Sequence, residues 1–238
     1  MSKELCIERR EGYQLWLLDR PTRRNAVGLD LLKELNEAWQ YAVEEGVTTV
    51  VLGATGEVFC AGFDLDELHK LSHSSGQLPH SPLHDFLDRF EPPSFTLITA
   101  IQGPAYGGGV ELALLGDVRI ASPKATFLLP PARLGIIYPE RGLRRLREAL
   151  GSSLLRTMLV TAQPASATRL FQQGALWSLE DDPLTAACSL AAHLVLLPAH
   201  SRLGNAAALE AVSRTSGIHA APAQPSTTRS LYASILPR

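Results

Sequence analysis

Apolar and polar positions follow two regimes along this chain. In the first half, Leu5–Arg9 and Tyr13–Asp19 flank Glu11-Gly12 and read as the strands of a hairpin. Leu31, Leu32, Leu35, Ala38, Trp39 and Ala42 recur at three- and four-residue spacing. That spacing makes Leu29–Val43 a helix with one apolar face, its start marked by Gly28 or Asp30. Thr48–Gly53 is β-branched and apolar, as a buried strand requires. His69 to His84 is polar and rich in His and Ser, and reads as a mobile loop. A short helix at Asp85–Phe90, a break at Glu91-Pro92-Pro93 and a strand at Thr96–Ile101 follow. Val110–Leu115 reads as helix, Asp117–Ala121 and Ala125–Leu129 as short strands. Strands alternating with helices predict an α/β fold with largely parallel strands.

Beyond Gly135 the helical period dominates. Glu140–Leu150, Ser152–Thr161, Ser166–Gly174, Asp182–Leu196 and Ser201–Thr215 are predicted helices, with Ala175–Leu179 as a short strand among them. The tail from Ser216 carries Pro222, Pro225 and Pro237, offers little to pack, and is expected to be partly disordered. The implied organisation is a core over residues 1–180 and a C-terminal helical region with tail over 181–238.

Composition narrows the function classes. The net charge of −2 gives no reason to expect a nucleic-acid or membrane-surface partner. Met1–Arg10 lacks the apolar core of a signal peptide, and no apolar run approaches the ~20 residues of a spanning helix. The expected location is therefore cytoplasmic. Cys6, Cys60 and Cys188 form neither a metal spacing nor an even disulfide set. His69, His73, His80 and His84 suit no single rigid metal site and read as solvated, and no metal is expected.

Chemistry concentrates at two glycine-bearing turns, each directly after a strand. Gly107-Gly108-Gly109-Val110-Glu111 leads from Thr96–Ile101 into a helix start, where free amides and the helix dipole favour negative charge. Phe59-Cys60-Ala61-Gly62-Phe63-Asp64-Leu65 follows the previous strand. Two amide-presenting turns and one carboxylate suit enolate stabilisation and proton transfer. Glu111 also admits a plainer reading as a helix-N-terminal acid, and Asp64 one as a residue tying its own turn. Cys60 reads as a small buried residue, and Arg141, Arg144, Arg145 and Arg147 as a solvated helix edge or subunit contact.

In this order and separation the two turns resemble the crotonase (enoyl-CoA hydratase/isomerase) superfamily. Arg20-Pro21-Thr22-Arg23-Arg24-Asn25-Ala26, Ile101–Ala121, Ala125-Thr126-Phe127, Leu134–Ile137 and Ala165–Ala175 extend the likeness over most of the chain. The resemblance implies a crotonase-like (ββα)n spiral core and an acyl-CoA thioester substrate. Coenzyme A is then part of the substrate and no separate cofactor is expected. The implied thioester-oxygen donors are the backbone amides of Phe63 and Gly108, with Glu111 as acid/base. Arg24, Ala26, Ala61, Gly62, Asp64, Leu65 and Gly107 are the implied surroundings of the CoA and acyl groups. A homotrimer or hexamer is also implied.

Two departures qualify the activity. Hydratases of this family carry a second glutamate in a Pro-Glu pair, whereas this chain reads Pro130-Pro131 there, and proline cannot exchange protons. Tyr138 resembles the tyrosine of methylmalonyl-CoA-decarboxylase-like members, although those carry a histidine where Phe63 stands. A packed-core role for Tyr138 is the alternative, and Glu140 is read as a helix-start acid. Double-bond isomerisation by Glu111 alone is the leading expectation, with decarboxylation second and slow hydration third. A non-catalytic acyl-CoA binder is the rival from another class.

Overall fold

The computed structural model describes residues 3–64, 66–67, 82–90 and 94–215, with the backbone alone at 210 and 213–215. The predicted roles of Leu65, His69, His73, His80, the Glu91–Pro93 break and the tail from Ser216 fall outside those residues.

Strands β1 (Leu5–Arg10) and β2 (Tyr13–Leu18) form the predicted hairpin, closed by Glu11 and a Gly12 at φ +80°. From β2 the sheet grows by parallel pairing through β3 (Thr49–Ala54), β4 (Thr96–Ile101), β6 (Val118–Ala121) and β9 (Ser178–Leu179). Parallel neighbours require crossovers. Helix α1 (Leu29–Glu44) supplies the first and α2 (Pro82–Leu87) lies on the second. Helix α3 (Gly108–Ala113) lies on the third. Strand side chains alternate between the two faces. Val50, Leu52, Leu97 and Ile101 join α1 through Leu31, Leu32 and Leu35 in the main core. Val51, Ile98, Ala100 and Ile120 face the other way and meet Ala187 and Ala191 of helix α7 (Pro183–Val195). Both sheet faces are therefore covered, which accounts for the continuous apolar runs in β3 and β4.

A second sheet of β5 (Ala105–Tyr106), β7 (Thr126–Leu128) and β8 (Ala165–Ser166) went unpredicted as a unit, because two-residue strands carry no periodicity. The predicted helices at 140–150 and 152–161 both form and are separated at Gly151, whose φ 70° and ψ 159° are not helical; the kinked pair is labelled α5 (Glu140–Thr161). Helices α4 (Pro131–Leu134), α6 (Ala167–Gln172) and α8 (Ala199–Thr215) complete the described α-helices. Helix α2 begins three residues before the predicted Asp85, with Pro82 at its first position. That difference places His84 on a helix.

Candidate active site

The two glycine-bearing turns lie beyond the C-terminal ends of β3 and β4, adjacent parallel strands, where α/β sheets open their ligand crevices. The first turn is stitched to the loop at residues 24–27: Ala61 N donates to Arg24 O (2.9 Å), Val27 N to Gly62 O (2.8 Å) and Asp64 N to Val27 O (2.9 Å). In such a parallel bridge Val27 uses residues 62 and 64, and the amide of Phe63 points the other way. The second turn is held by Tyr106 N donating to Cys60 O (2.9 Å) and Gly107 N to Leu128 O (2.8 Å). Gly108 then enters the first turn of α3, whose amides have no acceptor within the helix. Among the described residues neither Phe63 N nor Gly108 N donates a hydrogen bond.

Close approach between the turns brings the two amides together. The Cβ position of Gly62 lies 3.3 Å from Gly108 N, and that of Gly108 lies 3.9 Å from Phe63 N. Gly109 is pressed so closely on the first turn that a Cβ would stand 2.4 Å from Cys60 O. Cys60 is buried, and desolvation pushes its thiol up to about 12 against a weak hydrogen bond from Gly62 N. It remains a neutral packing group.

Asn25 anchors the early loop. Fully buried at φ 53°, it accepts from Arg20 N (2.8 Å) and donates to Thr55 O (2.9 Å) and Val58 O (2.8 Å). Arg24, also at positive φ, is exposed, whereas Ala26 and Ala61 are half-buried. Asp64 is buried, pairs with Arg20 (3.0 Å), and accepts from Asp66 N (3.0 Å). Its carboxylate ties the turn rather than facing an open crevice.

Glu111 lies one turn into α3 with its side chain 0 % exposed. Tyr138 donates its hydroxyl to Oε1 at 2.5 Å, and His84 Nε2 is 3.1 Å from the same oxygen. Arg145 donates to Oε2 through Nη2 (3.0 Å) and Nε (3.3 Å), and reaches back to Asp88 through Nη1. Burial pushes the Glu111 carboxyl up, but the hydrogen bonds and charges of His84, Tyr138 and Arg145 outweigh it and hold it below its ordinary range. Burial and the neighbouring Glu111 charge push the Tyr138 hydroxyl well above its ordinary value, so the proton stays on tyrosine. Gly142 makes this packing feasible: a Cβ there would stand 2.6 Å from Tyr138 Cε1 and 3.0 Å from each Glu111 oxygen.

Amides and carboxylate meet along α2. Leu83 packs on Gly108, the Cβ position of which is 2.4 Å from Leu83 Cδ2, while the next residue, His84, bonds Glu111. Half-buried Phe63 and Tyr138 pack against the main core beside them. The structure thus joins Phe63, Gly108, Glu111 and Tyr138 in one region, with Gly62, Gly107 and Ala61 as its backbone frame.

Comparison with known proteins shows the family and the fold. The sequence pattern described as enoyl-CoA hydratase/isomerase matches residues 8–231. The chain belongs to the enoyl-CoA hydratase/isomerase family. It is 36 % identical over 172 residues to a probable enoyl-CoA hydratase, echA6, of Mycobacterium leprae, covering 71 % of this chain and 68 % of that protein. It is 34 % identical over 184 residues to the 2,3-dehydroadipyl-CoA hydratase of Escherichia coli, covering 76 % and 71 %. The matched stretch spans about half, 53 %, of a probable mitochondrial enoyl-CoA hydratase of Arabidopsis thaliana. The crystal structure of an enoyl-CoA hydratase from Mycobacterium smegmatis superimposes with a TM-score of 0.75 at 30 % identity, covering 90 % of this chain and 91 % of that one. The fold is therefore that of the crotonases.

Within this family frame the carboxylate cluster corrects two expectations. His84 is a buried partner of Glu111 and not a solvated loop residue. The signal was present in Pro82, Leu83, Phe86 and Leu87, a helix start followed by apolar three- and four-residue spacing. Arg145, read as part of a solvated edge, has a side chain only 9 % exposed, whereas Arg141 on the same helix is 50 % exposed and pairs with Asp85 and Asp88. Pro131 sits buried at the first position of α4, and Glu140 is exposed at the start of α5. Neither provides a second buried acid.

Proposed function

We propose that this enoyl-CoA hydratase/isomerase family protein is an acyl-CoA enzyme that stabilises a thioester enolate. The Phe63 and Gly108 amides receive the thioester oxygen and Glu111 handles the proton. The observation that carries this reading is the pair of neighbouring amides without an acceptor among the described residues. Each such donor contributes roughly 3–4 kcal/mol to an oxyanionic transition state. Arg24, Ala26 and Ala61 border the first turn and are the proposed contacts of the CoA moiety.

The proposed reaction is double-bond isomerisation, in which one carboxylate removes a proton at one carbon and returns it at another. Glu111 as the carboxylate beside the amides, with Pro131 at the second glutamate position and Asp64 tied up in its turn by Arg20, supports this over the hydration that the relatives' names suggest. One observation favours decarboxylation as a second reading. Glu111 is enclosed by donors that weaken it as a base, and Tyr138 is poised beside it to orient a leaving carboxylate.

Turnover of a 3-enoyl-CoA, crotonyl-CoA and methylmalonyl-CoA, measured alongside Glu111→Gln and Tyr138→Phe, separates these readings. Isomerisation predicts turnover of the 3-enoyl-CoA that Glu111→Gln removes. Loss of methylmalonyl-CoA turnover centred on Tyr138→Phe would favour decarboxylation, and CoA-ester binding without turnover would overturn both.

A further inference from the structure

The mechanism proposed for Glu111 leaves one neighbour without a task. His84 is the imidazole in contact with the carboxylate, and its ring stands edge-on to Tyr138 with centroids 6.4 Å apart. Its partners on Glu111 differ from it chemically. Tyr138 keeps its proton, as its burial and the adjacent charge require. Arginine does not release one in proteins. Of the three, only a neutral imidazole has both a ring N–H to give and a bare ring nitrogen to receive. Exposure separates the pair as well: the Glu111 side chain is 0 % exposed, whereas that of His84 is 11 % exposed. Among the described residues Nε2 of His84 bonds Glu111, and Nδ1 has no partner.

We infer that His84 is the proton inlet of the site, carrying protons from solvent to the buried Glu111 carboxylate in place of the missing second glutamate. The step balances as a relay. Nδ1 of neutral His84 takes a proton from water as Nε2 gives its own to Oε1 of Glu111. Hydroxide is left in solvent and a neutral carboxylic acid in the site. The acid form of Glu111 then delivers that proton to the enolate carbon and returns to carboxylate. The relay leaves His84 as its Nδ1–H tautomer, and a water proton taken at Nε2 as the Nδ1 proton returns to solvent restores the starting tautomer. Tyr138 from the loop before α5 and Arg145 from α5 face the same carboxylate, with Asp88 behind Arg145, and they hold it in place during the transfer. A reaction that consumes a solvent proton, such as decarboxylation, needs this inlet. An isomerisation that returns its own proton does not, but reveals the inlet by exchange.

The inference rests on the enolate reading above, and two measurements on the full chain keep the two distinguishable. The first is solvent deuterium incorporation into the products of a 3-enoyl-CoA, crotonyl-CoA and methylmalonyl-CoA, followed by mass spectrometry. Wild type is expected to incorporate deuterium. His84→Gln, which keeps a hydrogen-bond donor but cannot relay a proton, is expected to do so about a hundred-fold more slowly, the lower side of acid–base contributions. Equal incorporation by His84→Gln overturns the inlet and leaves the enolate reading standing. A wild type that neither exchanges nor converts any of the three overturns both. The second measurement needs no turnover: nitrogen NMR of the His84 ring, compared between wild type and Glu111→Gln. A protonated Nε2 with a free Nδ1, perturbed by Glu111→Gln, supports the inlet. A protonated Nδ1 with a bare Nε2, or a ring indifferent to Glu111→Gln, overturns it.

Discussion

The amide pair and the carboxylate cluster occupy one region but are built in different ways. Phe63 and Gly108 present main-chain groups, aimed by backbone hydrogen bonds among residues 24–27, 60–64 and 106–107. Glu111 depends on side chains from α2, from the loop before α5 and from α5 itself. Only a substitution by proline deletes a backbone N–H; any other moves it by distorting the turn. Each member of the carboxylate cluster, by contrast, is removed by changing one side chain. The amide half is therefore the more resistant to sequence change, and the carboxylate half the more open to it.

The most severe way to break the carboxylate half is Glu111→Gln. It keeps shape but not basicity, and turnover of the responsive CoA ester is expected to fall about 10²–10⁴-fold, with CoA-ester binding retained. Binding lost in parallel with turnover would place Glu111 in the amide half instead. Next in size is Arg145→Met, which leaves a buried carboxylate without its cation. A stability loss of about 3–5 kcal/mol is expected in urea unfolding, because breaking one side of a buried pair strands the other. A loss near that of an exposed pair would mean that Glu111 is not buried as described.

These two predictions concern residues of unequal legibility. Helix α1 was readable because its apolar positions keep the helical period over the whole element, and the hairpin, β3 and β4 because their apolar runs are bounded by turn residues. The turns were readable because their glycines lie within a few residues of the strands that position them. His84, Arg145 and Tyr138 converge on Glu111 from 27 to 34 residues away, a tertiary relation without local spacing. His84 was further obscured by its polar, His-rich neighbourhood, where Pro82 and Leu83 marked a helix start that the Asp85 boundary passed over. Asn25 was legible as part of a motif, but its three buried hydrogen bonds were not.

Tyr138→Phe sharpens the comparison on a smaller scale. Loss of a hydrogen bond to a charged group is expected to cost about 1.5–3 kcal/mol of stability. The Glu111 carboxyl should move upward as a donor is lost, detectable by carbon NMR of the carboxyl. An unmoved carboxyl would show that the Tyr138 hydroxyl is not bonded to it. On the amide side, Gly109→Ala forces a methyl group against Cys60 O and should separate the two turns. About 1–3 kcal/mol of destabilisation is expected, with weakened CoA-ester binding despite an intact Glu111. Unchanged binding would mean that the turns need not touch.

The smallest effect is on pH. Glu111 is held below its ordinary value of 4.5, so its contribution to stability is complete above that value and is lost as pH falls through the folded-state value. Urea midpoints taken downward from neutral pH should fall more steeply below about pH 4.5 in wild type than in Glu111→Gln. Parallel curves would contradict the described surroundings of Glu111.

A crystal structure of the full chain with butyryl-CoA bound tests the amide pair most directly. The thioester oxygen is expected to accept hydrogen bonds from both Phe63 N and Gly108 N, within about 3.2 Å of each. A thioester oxygen bound elsewhere, or either amide donating to a protein acceptor instead, would contradict the account.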